Sequence, residues 1–287
     1  MRYLSPSYAT RPARRRWQRV INSLNICLLL LALVVSVALF APWLAPSDPY
    51  VQNVMQRLHP PSASHWLGTD GFGRDVLSRV IYGTRPALMM VALILLITIP
   101  VGLLVGIVAG YVGGWTDRLL MRLTDIALAL PGLVIALALV AVMGPGIWHS
   151  ALALALTAWP QFARQARAEV MALRRSDFLA AARMQGIDGW RLMYGQMLPL
   201  CLPGALTRAA MTPGNMILAS AGLGFLGVGA PPPMAEWGAM VSEGSSVMFE
   251  QWWVATVPGV AIFLTSLLFN LLGNTLRDRL DPRYDRN

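Results

Sequence analysis

Lysine is missing from this chain, and all 23 of its basic residues are arginine. A P-loop places a lysine on the nucleotide phosphates and Schiff-base chemistry needs a lysine amine, so both are excluded. Any ATP must be hydrolysed by a partner. Cysteine is almost as scarce. Cys27 and Cys201 stand alone in apolar stretches, which predicts packing roles and neither a disulfide nor a metal pair. His59, His65 and His149 are scattered without ligand spacing, so no metal site and no cofactor is expected. Charge is short too. Only 13% of the residues are charged while 56% are hydrophobic, about half the charged share of a soluble protein. Such a composition predicts an all-α integral membrane protein.

The net charge of +9 would fit a nucleic-acid binder, but the arginines of a membrane protein are first read by loop. Six precede the first apolar run, from Arg2 to Arg19. Arg118, Arg122, Arg164, Arg167, Arg174, Arg175, Arg183 and Arg191 lie between later runs, and Arg277, Arg279, Arg283 and Arg286 close the chain. Four others, Arg57, Arg74, Arg79 and Arg85, fall in the first outer loop. The positive-inside rule therefore places both termini in the cytoplasm and makes a lipid bilayer, with no nucleic acid, the expected surroundings.

Six spans are predicted. After a cytoplasmic segment at 1–21, an uncleaved first span occupies 22–44, its apolar run too long for a signal-peptide core. An outer loop at 45–86 follows, rich in proline and glycine. Its second half, from Asp75, alternates Val76, Leu77, Val80 and Ile81 against Arg74, Ser78 and Arg79 with helical period, which predicts an amphipathic surface helix. The remaining core, 87–276, holds five spans: Ala87 to about Ala109, Ile126 to Met143, Ile147 to Phe162, Pro199 to Gly229 with breaks at Pro203 and Pro213, and a last one to Leu272. Between the second and third spans, Asp117 with Arg118, or Asp125 with Arg122, are expected to pair locally. A tail at 277–287 ends the chain.

The largest polar interruption of the core is 164–198. Within it Asp177 to Gln185 predicts a short helix with Phe178, Ala181, Ala182 and Gln185 on one mostly small face, suited to lie against another protein. Gly186 supplies the left-handed turn that ends it. The run Ala181, Ala182, Gly186, then Leu198 and Pro199, resembles the "EAA" loop of ABC importer permeases, which in that family is the coupling helix docking into the cytoplasmic ATPase. Asp177, Phe178 and Arg183 complete the expected docking set. Ala180 stands where the family has glutamate, removing one ionic contact, and Gln196 where it has isoleucine.

The outer run LGTDGFGRDVLSRVIYGTR narrows the resemblance. Through Gly68, Thr69, Asp70, Gly73, Arg74, Asp75, Ser78, Arg79, Gly83 and Arg85 it is similar to the C-type subunits of the dipeptide, oligopeptide and nickel branch. A second outer loop repeats the likeness at Glu236, Trp237 and Gly238, while Asn274 replaces a usual aspartate. Arg208 and Asn215 sit in the broken fifth span. An intramembrane arginine marks a candidate translocation path, able to meet a peptide carboxylate, although snorkelling to the inner interface explains it equally.

The resemblance implies a type I ABC importer permease, multi-pass in a bacterial or archaeal cytoplasmic membrane and not itself an enzyme. Its implied partners are a homologous second permease subunit, two ABC ATPase subunits and an extracytoplasmic solute-binding protein. Peptides are the implied cargo, with nickel chelates, glutathione and antimicrobial peptides as alternatives. A secondary transporter would carry paired acids in its spans, and a membrane hydrolase a nucleophile with its His and acid partners; the sequence displays neither pattern.

Overall fold

The computed structural model describes residues 13–280, so the arginine-rich start before residue 13 and the tail beyond 280 lie outside the described residues. Within them the chain is helical and has no strand. Helix α1 (Ala13–Leu39) and the one-turn α2 (Ala41–Leu44) lead into the outer loop. Then come α3 (Val76–Val112), α4 (Gly114–Ala129), α5 (Gly132–Met143) and α6 (Ile147–Leu173). A short α7 (Asp177–Met184) and a single turn, α8 (Trp190–Leu192), precede a π-helical turn at Met193–Met197. The chain finishes with α9 (Leu198–Met211), α10 (Pro213–Phe225), α11 (Trp237–Ser245) and α12 (Trp252–Leu280).

By length and hydropathy α3 and α12 can each cross a membrane, and α4 with α5 passes the same test as a pair bent by 91°. The expected third span is thus a broken one. Pro131 lacks an N–H and its ring pushes Leu130 into extended backbone (φ −100°, ψ 146°), which ends α4 there. Pro213 divides the fifth span into α9 and α10, although Thr212 before it stays in the helical region (φ −90°, ψ −28°), while α9 runs unbroken through Pro203, where a break was expected. The helix of the expected fourth span runs on past its end. Helix α6 continues from Phe162 to Leu173, so the first ten residues assigned to the cytoplasmic loop, 164–173, are helix.

A second correction concerns the surface helix predicted from Asp75. It is the outer end of α3, continuous with the following span over 37 residues, or about 55 Å. Its polar side does not face solvent: Arg79 is 1% exposed and Ser78 is fully buried. Charge on one helical face marks water only when no other element brings opposite charge to it, and here one does.

Helix α3 packs along α6 through Gly102, Gly106 and Gly110, spaced one turn apart. A Cβ on Gly106 would run into the Ala163 carbonyl, and one on Gly110 would stand 2.9 Å from Val170. Small residues at this spacing let two backbones approach where lipid offers no hydrophobic drive. Around this pair a central cluster gathers Met90, Ile94, Val140, Leu154, Ile217 and Phe269 from five helices. Cys27 packs between α1 and α12 and Cys201 in an inner cluster beneath α7, both free thiols.

Candidate functional site

At the outer end of α3 the residues of the first signature form one closed network. Asp75 caps the helix, accepting from the Ser78 N–H at 2.8 Å and its hydroxyl at 2.7 Å, while its other oxygen meets His65 Nδ1 at 3.0 Å. Asp70 accepts from Arg74 Nε at 2.6 Å, and the Arg74 Nη2 donates to Glu243 at 2.7 Å. Arg79 lies between the same two carboxylates at 3.5 and 3.6 Å. Two buried arginines thus face Asp70 and Glu243, with the acid from α11 arriving 169 positions downstream of Arg74. Nothing local in the sequence singles out Glu243.

The remaining signature residues close the packing. Trp253 donates to the Thr69 carbonyl at 3.2 Å and leaves no room for a Cβ on Gly68; Trp237 donates to the Val80 carbonyl at 2.9 Å and presses on Gly83 in the same manner. Gly73, at φ +71°, lies against the Asn53 backbone. Arg85 turns back to α1, donating to the Ala38 carbonyl at 2.6 Å and the Leu39 carbonyl at 3.1 Å, the free acceptors of a helix C-terminus. Glu236 sits in a cradle of glycines, Gly224 and Gly229, neither of which has space for a side chain. It accepts one bond, from the Ala230 N–H at 2.6 Å, and burial pushes its carboxyl up to about 7. Gly238 lets α11 close onto the Ala221 backbone.

The loop expected to couple stands at the opposite end. Helix α7 buries Leu179 and Ala182 in a cluster with Leu103, Ile107, Val170, Leu192 and Met197. Phe178 is 55% exposed and Met184 90%, with Asp177, Ala180, Ala181 and Arg183 exposed beside them. This corrects the predicted face. Ala182 points inward and is a packing residue, because Leu179, three positions before it, sets which side of the helix meets the core.

Gly186 adopts φ +79°, with the Ile187 N–H bonded to the Ala182 carbonyl at 3.1 Å and its own N–H to Arg183 at 2.9 Å, a Schellman ending. Beyond it, Tyr111 at the last turn of α3 donates to Asp188 at 2.5 Å and accepts from the Gly189 N–H at 3.0 Å. The Tyr111 hydroxyl, and the Gly189 N–H that also donates to Asp188 at 2.8 Å, hold the Asp188 carboxyl below its ordinary range. Leu198 is half-buried and Pro199 exposed at the start of α9.

The acids of α4 do not pair locally as expected. Asp117 takes a two-pronged bond from Arg167, at 2.5 and 2.7 Å, and Asp125 pairs with Arg164 at 2.6 Å, since α4 lies beside the inner half of α6.

Arg208 and Asn215 line one groove of about 410 Å³, together with Gln161, Gln165, Thr212 and Arg277. A second groove of about 220 Å³ shares Gln161, Thr212 and Asn215 and continues toward Leu154 and Ile94. Arg208 Nη2 donates to Gln161 at 2.7 Å, and its guanidinium lies 5.7 Å from the centre of the Phe162 ring. Gln161 and Gln165 went unread in the sequence. They lie among Arg164, Arg167 and Glu169, so nothing local set them apart from an ordinary polar helix end.

Comparison with known proteins shows the family of the chain. Residues 102–286 match the family model described as binding-protein-dependent transport system inner membrane component, and 25–61 match the N-terminal TM domain of oligopeptide transport permease C. The probable D,D-dipeptide transport system permease protein DdpC of Escherichia coli (strain K12) is 40% identical over 254 residues, 88% of this chain and 85% of that one. The dipeptide transport system permease protein DppC of the same strain is 44% identical over 262 residues, 89% and 87% of the two chains. Among solved structures, the inward-facing MetNI methionine ABC transporter aligns with a TM-score of 0.57 at 17% identity, over 71% of this chain and 96% of that one, a likeness of fold. The chain belongs to the binding-protein-dependent permease subunits of ABC importers, in the C-type group of the dipeptide and oligopeptide branch.

Proposed function

We propose that this chain forms one half of the membrane channel of an ATP-driven importer of di- or oligopeptides. It crosses the bacterial inner membrane six times with both termini in the cytoplasm, and pairs with a homologous permease. Two ABC ATPases bind on the cytoplasmic side and a peptide-binding protein on the other. The observation that carries this reading is the exposed apolar tip of α7, Phe178 and Met184, on a loop otherwise edged with charge. An isolated chain gains nothing from holding those side chains in water, whereas a groove on an ATPase would bury them.

Asp177, Phe178, Ala181, Arg183 and Gly186 then form the docking element, and the helix-capping network around Asp70, Arg74, Asp75 and Arg79 braces the face offered to the binding protein. ATP-driven closure of the ATPases draws the coupling loops together and turns the path outward; release of products reverses it. The Arg208 and Asn215 groove is this subunit's wall of the path. Its lining of amides, hydroxyls and arginines suits a peptide and offers no carboxylate to a bare metal cation.

The test is ATPase activity and uptake, measured for the purified chain alone and then with the partner permease, ATPases and binding protein, using a mixed dipeptide pool. ATP-dependent uptake only by the assembled complex is expected. Solute flux through the chain alone, without ATP, would overturn the reading in favour of a secondary transporter.

A further inference from the structure

We infer that Arg208 is a substrate-contacting residue: it receives the C-terminal carboxylate of the peptide at the inner part of the path. The inference rests on the groove being a wall of that path and names what one side chain there does.

The guanidinium is held in place but not neutralised. Its best partner is the neutral Gln161 amide oxygen at 2.7 Å; a second, Gln165, is reached only at 3.4 Å, and Nε is buried without any partner. Among the described residues no carboxylate forms an ion pair with it, whereas Arg74 and Arg79 each meet two and its neighbours on α6, Arg164 and Arg167, each meet one. Glu169 bears on it through an intermediary. Gln165 donates its Nε2 to Glu169 at 3.0 Å, which fixes the amide so that its oxygen faces Arg208. The acid thereby orients the acceptor and keeps its own charge away.

Such an arrangement suits a site that must bind and then let go. A carboxylate entering the groove replaces a long amide contact by a charge-assisted bond, which is shorter and about twice as strong as a neutral one. Arg277, at the rim of the same groove, adds a second positive charge toward the inner end of α12. Gln161, Asn215 and Thr212 are placed to bond peptide amides, and none of them selects among side chains. Recognition would therefore fall on the one group that peptides share at their end.

The experiment uses the complete transporter in nanodiscs without its binding protein, so that the latter's own selectivity plays no part. Asn215→Cys is labelled with a membrane-impermeant maleimide; Cys27 and Cys201 are buried. Dialanine should slow the labelling, and dialanine amide at equal concentration should not. Arg208→Gln in this background should raise the half-protecting dialanine concentration about tenfold, and Arg208→Lys should restore most of it. Equal protection by the two peptides, no protection by either, or an Arg208→Gln response like the parent's would overturn the carboxylate contact alone. An Asn215→Cys that stays unlabelled both with and without ATP would instead overturn the path wall, and the contact with it.

Discussion

Gly186 and Glu236 show how single residues carry conditions for the whole. The left-handed backbone at Gly186 closes α7, and a side chain there costs roughly 1–2 kcal/mol even though a Cβ would meet nothing within 4 Å. Gly186→Leu is expected to insert and assemble normally yet to lose most uptake, about tenfold, because α7 no longer ends in register; transport in vesicles against complex yield measures both. Full uptake would remove the loop from the coupling step. At Glu236 the prediction is one of pH. Burial lifts its carboxyl to about 7, so the folded chain binds this proton more tightly than the unfolded chain does. Stability is then greatest in acid and falls as pH rises through about 7. Thermal unfolding in detergent should drop on the order of 5 °C more between pH 5 and pH 8 in the parent than in Glu236→Gln.

Among the elements, the α3–α6 contact is the most demanding. Gly106→Leu forces a side chain onto the Ala163 carbonyl and the Ala166 methyl, overpacking expected to cost about 1–3 kcal/mol or more. Gly259→Ala in α12 meets nothing within 4 Å and should leave the melting temperature unchanged; comparing the two melting curves checks the claim. The break at Pro213 and the turn at Gly186 were read in the sequence, because each follows from backbone chemistry within a few residues; the Gly102, Gly106 and Gly110 stripe and the break at Pro131 went unread, since each takes its meaning from the helix it meets. The face of α7 and the fate of Arg74 and Arg79 were not. Which side of an eight-residue helix is buried depends on the cluster around Leu179, and the arginines are drawn inside by Glu243, which tertiary folding alone brings there. Arg208 was legible as an oddity in an apolar span, but its surroundings of paired glutamines were not.

At the scale of the molecule, the Asp70 to Arg79 network and the loop carrying α7 are held to the same helix. Asp75 caps α3 at one end, and Tyr111 grips Asp188 and Gly189 from the other. Tyr111→Phe removes that grip. The complex should still hydrolyse ATP but import several-fold less substrate per ATP, read by measuring both rates in the same vesicles; an unchanged ratio would show that the clamp transmits nothing. Unlike the bent α4–α5 pair, α3 crosses this distance as a single helix, braced along its inner half by α6. Pro86 and Pro100 each take one backbone hydrogen bond out of it, so α3 is a shaft with two joints, and a tug on the loop at one end has two places to bend before it reaches the cap at the other.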